Sequence, residues 1–197
     1  MKTPWPYPSG RASVRLYFAS NLLFVTGSVL FFPAFSSLAD VSLLCFMLGL
    51  LTYIYTGLIP LQTAAAEHHH ASVPEIFAAF GPILFFLGCV LCLSVIGLYI
   101  AGGVCYSLGC GTWALSSWSG YLRERKNGSA VIELISTAGC LFFTILSVYF
   151  VWYLAAGRNV TLDGILVAGG YLTGSCLFVL TDLIGTARRK KVYSLQQ

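Results

Sequence analysis

Between Arg15 and Asp40 the chain runs for 24 residues without a charged side chain. It does so again for 26 residues between Asp40 and Glu67, 47 between Glu75 and Arg123, 24 between Glu133 and Arg158, and 18 between Asp163 and Asp182. A helix crosses about 30 Å of hydrocarbon with about 20 mostly apolar residues. Four of these gaps fit one crossing each. The gap of 47 residues fits two crossings joined by a tight turn, for which Gly97, Gly102 and Gly103 supply adaptable backbone. The gaps predict six transmembrane helices over 16–37, 41–62, 76–98, 101–122, 134–156 and 164–187. One long bent helix across the fourth gap would give an odd number of crossings instead.

Composition excludes the soluble alternatives. Charged residues make up 9% of the 197 and hydrophobic ones 57%, against about 25% charged in ordinary globular chains. Eighteen charges, 11 basic and 7 acidic, cannot cover a water-facing surface of this size. A soluble enzyme, a disordered chain and a nucleic-acid binder are therefore excluded. What remains is an all-α integral membrane protein. A basic arm at 1–15, irregular because Pro6 and Pro8 in Trp5-Pro6-Tyr7-Pro8 resist helix, precedes a single six-helix domain at 16–187. A basic tail follows at 188–197. Ser37-Leu38-Ala39 resembles a signal cleavage site. However, the apolar run Leu16–Phe35 is longer than a usual signal segment and reads as a retained first helix that also targets.

With six crossings, one side of the membrane holds Lys2, Arg11, Arg15, Arg123, Arg125, Lys126, Arg188, Arg189, Lys190 and Lys191, which is 10 of the 11 basic residues. Only Arg158 falls on the other side. This bias predicts that both termini face the cytoplasm, or the matrix or stroma in an organelle. Trp118 and Tyr121 before Arg123, and Trp152 and Tyr153 before Arg158, fit the headgroup levels at the two ends.

The even helices align on Gly49, Gly109 and Gly174, at spacings of 60 and 65 residues. The odd helices echo this on Gly27, Gly88 and Gly139, at 61 and 51. The chain thus reads as three helical hairpins and a candidate threefold internal repeat. The segments NLLFVTGSVLFF and GGYLTGSCLFVLTDLIGTARR resemble the YrhK-like domain family, a small helical-hairpin module. The matching residues are Gly27, Ser28, Gly174, Ser175, Phe178, Arg188 and Arg189. The middle hairpin departs from the pattern, with Cys89 and Cys110 in place of serine. The resemblance implies a membrane fold and no particular chemistry.

Few residues could carry chemistry. His68, His69 and His70 are the only histidines, flanked by Glu67 and Glu75. Three consecutive side chains point about 100° apart on a helix and suit one tetrahedral metal poorly, so a solvated loop is the first reading. A pH-sensing role is the next. No predicted helix contains a histidine, which excludes a bis-histidine membrane cytochrome. Asp182 is the one acid well inside an apolar segment, and an intramembrane carboxylate is a functional hypothesis by default. It lies six residues before Arg188. It can therefore reach the interface or pair with Arg188 or Arg189, or else serve as an ion or proton site. Asn21 and Gln62 are placed to hydrogen-bond between helices.

The seven cysteines all fall in predicted helices, where cysteine packs as a small apolar residue. The small-residue rows Gly103–Ser107–Gly111 and Gly170–Gly174 mark close helix packing. Asn159-Val160-Thr161 is a glycosylation sequon on the outer side. No phosphate loop, nucleophile elbow, HExxH or carboxylate pair is present, so neither an enzyme nor a cofactor is expected. The expected partners are the bilayer and either other membrane subunits or further copies of the chain. A structural or accessory role in a larger membrane complex is the leading expectation. The alternative is a transporter or channel for a small solute or ion, with Asp182 as its site.

Overall fold

The computed structural model describes residues 10–67, 70–125, 130–157 and 160–194. Regular structure among them is entirely helical: α1 (Gly10–Leu30), α2 (Ala39–Ala66), α3 (Val73–Cys92), α4 (Tyr99–Glu124), α5 (Ala130–Ala155) and α6 (Val160–Ser194), with a short 3-10 segment over Pro33–Leu38. Five of these segments are long and apolar enough to cross a membrane. Helix α4 is as long, but it carries Ser107, Thr112, Ser116, Ser117 and Ser119 and is less apolar.

The boundaries differ from expectation where backbone chemistry intervenes. The first helix, expected to reach residue 37, stops at Leu30. Pro33 pushes Phe32 into extended geometry (ψ 142°), because its ring crowds an α conformation at the preceding residue. The third helix ends at Cys92 rather than 98. Its turn is made by Gly97 at φ +69°, a region that only glycine occupies freely. Helices α3 and α4 are therefore separate, and the single bent helix is excluded. Residues 10–15, expected to be irregular, are the first turns of α1, and the tail expected from 188 is helical to Ser194.

Each helix packs against its successor, and α6 returns to α1, so the six close into a ring. Neighbours run antiparallel: along α4, Gly103 meets Val151 near the end of α5, whereas Gly120 meets Glu133 near its start. The outside of the ring is apolar, with Leu48, Ile145, Val148 and Leu166 exposed. Such a surface suits hydrocarbon rather than water.

Two kinds of contact hold the ring. The α3–α4 interface is closed by glycine. A Cβ placed on Gly88 would lie 2.7 Å from both the Gly102 carbonyl oxygen and the Tyr106 nitrogen. One on Gly109 would lie 2.7 Å from the Gly81 carbonyl oxygen and collide with the Phe85 nitrogen. Without side chains at these four positions the two backbones touch, and dispersion accumulates along the pair. The α1–α6 seam, where the ring closes, is instead polar. Ser28 and Ser175 share a hydrogen bond at 2.9 Å, and Asn21 donates to Asp182 at 2.7 Å.

At the end away from the termini, the Ser94 backbone N–H donates to Asp40 Oδ1 at 2.9 Å, and the Ser94 hydroxyl donates to Asp40 Oδ2. This ties the α3–α4 turn to the first turn of α2. Asp40→Ala should therefore speed hydrogen exchange of the Ser94 amide while leaving amides in the middle of α3 protected. Unchanged exchange at Ser94 would mean that the turn is held by other contacts.

Candidate functional site

The inside of the ring is filled by aromatic side chains, at least one from every helix. Phe24, Phe46, Phe85 and Phe143 are all at most 1% exposed. Phe46 sits amid the others, with ring centres 6.1 Å from Phe24, 6.1 Å from Phe85 and 6.2 Å from Phe143. Tyr106, Tyr171 and Phe178 complete the cluster, with Tyr171 stacked on Phe143 at 5.1 Å. Each such pair adds about 0.5–1.5 kcal/mol beyond its burial.

Cavities lie beyond this cluster at both ends. The outer one, of about 410 Å³, is lined by Phe31, Leu43, Cys92, Tyr106, Phe150 and Tyr171 among others. Its walls are nearly all apolar. The Tyr106 hydroxyl is buried and has no hydrogen-bond partner among the described residues. Tyr153, expected at the membrane surface, is 2% exposed and lines this cavity, whereas its neighbour Trp152 faces outward. Pro33 reaches across the mouth to Gly164 of α6.

The inner cavity, of about 640 Å³, opens at the end where α1 begins and α6 ends. It is lined by Tyr17, Tyr53, Thr56, Trp113, Ser117, Ser136 and three charged residues, Glu75, Arg123 and Glu133. The order of residues along the helices puts the aromatic cluster between the cavities. On α2, Phe46 falls between Leu43 of the outer cavity and Tyr53 of the inner. On α3, Phe85 falls between Cys92 and Ala78. On α5, Phe143 falls between Phe150 and Ser136.

A buried polar chain lies beside the inner cavity. Tyr53 donates its hydroxyl to Asn21 Oδ1 at 2.7 Å, and Asn21 Nδ2 donates to Asp182 Oδ2 at 2.7 Å. Asn21 is 1% exposed and Asp182 half-buried. Three helices, α2, α1 and α6, thus meet at one amide. Asn21 bonds between helices as expected, and its amide fixes the direction of both hydrogen bonds. An amide orients these groups but does not readily pass a proton. Asp182, which the sequence lets reach the interface, pair with Arg188 or Arg189, or serve as an ion or proton site, accepts a hydrogen bond from Asn21 of α1. The buried Gln62 Oε1 lacks a partner among the described residues.

The other sequence candidates fall elsewhere. His70 is exposed, and His68 and His69 lie outside the described residues, as does Asn159. No group of three metal-binding side chains occurs among the described residues. Gly103, Ser107 and Gly111 are on α4. Gly103 packs on Val151 and Phe150, Ser107 bonds back to the Gly103 carbonyl at 2.7 Å, and Gly111 lies loosely near Thr144. On α6, Gly170 packs on Leu146 and Gly174 on Phe143. The seven cysteines are free thiols, and Cys89, Cys92, Cys110 and Cys140 are buried among the aromatic side chains.

Sequence reading missed the cavities and the aromatic cluster. A signal for the cluster was present, since Phe24, Phe46, Phe85, Tyr106 and Tyr171 each precede a glycine by three residues. No family model matches this chain, and neither a curated protein nor a solved structure is similar to it.

Proposed function

We propose that this chain is a six-span membrane protein that carries a small solute or ion along the axis of its helix ring, with Asp182 as the ion- or proton-binding carboxylate. The observation that carries this reading is the pair of cavities facing opposite ends of one aromatic cluster, with the Tyr53–Asn21–Asp182 chain beside the inner one. A site reached alternately from two sides needs such an arrangement, and an intramembrane acid is expensive without a use. The aromatic cluster would have to part during the cycle, so the reading is of a carrier rather than an open channel.

Six crossings are supported by the place of α4 in the ring, glycine-packed on α3 along its length. They put both termini on the side holding 10 of the 11 basic residues, the cytoplasmic, matrix or stromal side. A threefold repeat is supported by equivalent contacts in the three hairpins. Gly49 and Gly174 of the even helices meet the rings of Phe24 and Phe143, and Gly109 the backbone of Phe85, together with the carbonyl oxygens of Ser20, Gly139 and Gly81 respectively. In this register the odd helices repeat at 61 and 58 residues, and Gly139 matches Ser20 and Gly81 rather than Gly27 and Gly88. The Gly27-Ser28 and Gly174-Ser175 pairs behind the YrhK-like resemblance meet at the α1–α6 seam through their serines.

Asp182→Asn tests the function. Asparagine has the same shape and can still accept from Asn21, but it neither titrates nor carries charge. In proteoliposomes that show solute- or ion-coupled flux, the variant should lose it while unfolding at the wild-type temperature. Normal flux in a folded variant would remove Asp182 from the mechanism.

A second reading, an accessory subunit of a larger complex, is favoured by one observation. An apolar trough of about 430 Å³ faces outward between α4 and α5, lined by Gly111, Ala114, Leu115, Trp118, Leu134 and Leu141. Native mass spectrometry of the gently extracted protein separates the readings. Stoichiometric foreign chains would favour the subunit, and a monomer or symmetric oligomer the carrier.

A further inference from the structure

The inner cavity is lined by charges of both signs, with Arg123 close enough to act on Glu133 and Glu75, and Glu124 a further negative charge near Glu133. Of its three charged residues, Glu75 is engaged in starting α3, where it accepts the Ser72 backbone N–H at 2.8 Å. Glu133, in the first turn of α5, is half-buried, and its carboxylate makes no hydrogen bond or ion pair among the described residues. Arg123, in the last turn of α4, is exposed at the same cavity and likewise makes no ion pair among the described residues. A half-buried carboxylate and an exposed guanidinium thus line one cavity, from the first turn of α5 and the last turn of α4. Removing a carboxylate from water without a partner is costly, and a bound ammonium group would offset that cost. The guanidinium presents a fork that matches a carboxylate or phosphate. Below them, Tyr53 and Trp113 stand edge to face at 4.6 Å and Tyr17 packs on Tyr53 at 5.1 Å, an aromatic floor for an apolar portion.

We propose that the inner cavity binds a small zwitterion, with its ammonium group held at Glu133, its carboxylate or phosphate at Arg123, and its apolar part on Tyr53 and Trp113. The inference rests on the carrier reading only in taking this cavity as the solute-facing mouth. A ligand seated there would touch Tyr53, the hydroxyl that leads to Asn21 and Asp182. The same chemistry occurs in a free amino acid and in a phosphatidylethanolamine headgroup.

The test is binding of leucine to the full-length protein in phosphatidylglycerol nanodiscs, followed by calorimetry. Leucine amide, a cation, and N-acetyl-leucine, an anion, serve as controls. Leucine should bind at least tenfold more tightly than either. Glu133→Gln and Arg123→Gln should each weaken it by about tenfold or more, the loss of one charge-assisted contact. Both positions border water, so unchanged unfolding temperatures would show that the variants still fold.

The lipid arm uses native mass spectrometry. If leucine fails to bind, but phosphatidylethanolamine is retained by the wild type and released by both variants, the zwitterion is a headgroup and the site stands. Equal binding of leucine amide, or zwitterion binding indifferent to both substitutions, would overturn it. Charge-dependent leucine binding without any flux would retire the carrier reading and leave this site in place.

Discussion

Gly109→Ala should unfold this protein at a markedly lower temperature, whereas Gly169→Ala, in the middle of α6, should not. The two substitutions add the same methyl group to a helix. At Gly169 nothing lies within 4 Å of the new atom, and alanine's better helix propensity favours it by up to about 1 kcal/mol. At Gly109 the methyl would be driven into the Phe85 nitrogen and would lie 2.7 Å from the Gly81 carbonyl oxygen and 2.9 Å from the Phe85 α-carbon. All three are backbone atoms of α3, so no side chain can rotate away. Overpacking of this kind costs about 1–3 kcal/mol and occasionally more. The upper end applies here, because relief requires α3 and α4 to separate along their length. Gly88→Ala, which meets the Tyr106 nitrogen and α-carbon at 2.7 and 2.9 Å, should behave in the same way. Thermal unfolding followed by size-exclusion chromatography measures all three. Equal midpoints for Gly109→Ala and Gly169→Ala would mean that α3 and α4 are not in backbone contact.

That contrast marks how far the sequence could be read. Spacing of charges locates a crossing because lipid tolerates so few of them, and the helices were legible for that reason. Their ends were less so. Pro33 in an apolar run and Gly97 inside another decide where α1 and α3 stop, and hydropathy is blind to both. Small-residue spacing points to close helix approach but cannot rank the glycines. Gly103–Ser107–Gly111 has ideal spacing, yet Gly111 touches only the Thr144 methyl, at 3.7 Å. Gly81 and Gly109, on different helices, carry the tight contact. Asp182 stood out because it was alone. Its partner Asn21 lies 161 residues away, and a pairing that exists only because the ring closes cannot be inferred from local pattern. Cavities have no signature at all in a chain whose inner and outer faces are both apolar. Hydrophobic patterning cannot distinguish a residue facing lipid from one facing the axis, which is how Tyr153 and Trp152 came to look alike.

Phe46→Ala should join the two cavities. Phe46 is fully buried, and its ring lies within 6.4 Å of the ring centres of Phe24, Phe85, Tyr106, Phe143 and Tyr171. Phe143 is the other residue so placed, packing against Phe24, Phe85, Tyr106 and Tyr171 as well. Truncating a buried phenylalanine costs about 3–5 kcal/mol in soluble proteins. In a bilayer the lower end is expected, since the lost term is packing rather than removal from water. The functional effect should be larger than the thermal one. With Phe46 absent, the space between Leu43 and Tyr53 on α2 is no longer filled, and the outer cavity gains a route to the inner one. Proteoliposomes bearing Phe46→Ala should leak protons or small ions that the wild type retains. Phe46→Leu, which keeps most of the volume, should remain tight. Leu51→Ala on the lipid-facing side of the same helix should neither leak nor unfold early. A folded Phe46→Ala protein that holds its gradient would place the two cavities off a common axis. The carrier reading would then lose the observation on which it stands, whatever Asp182 binds.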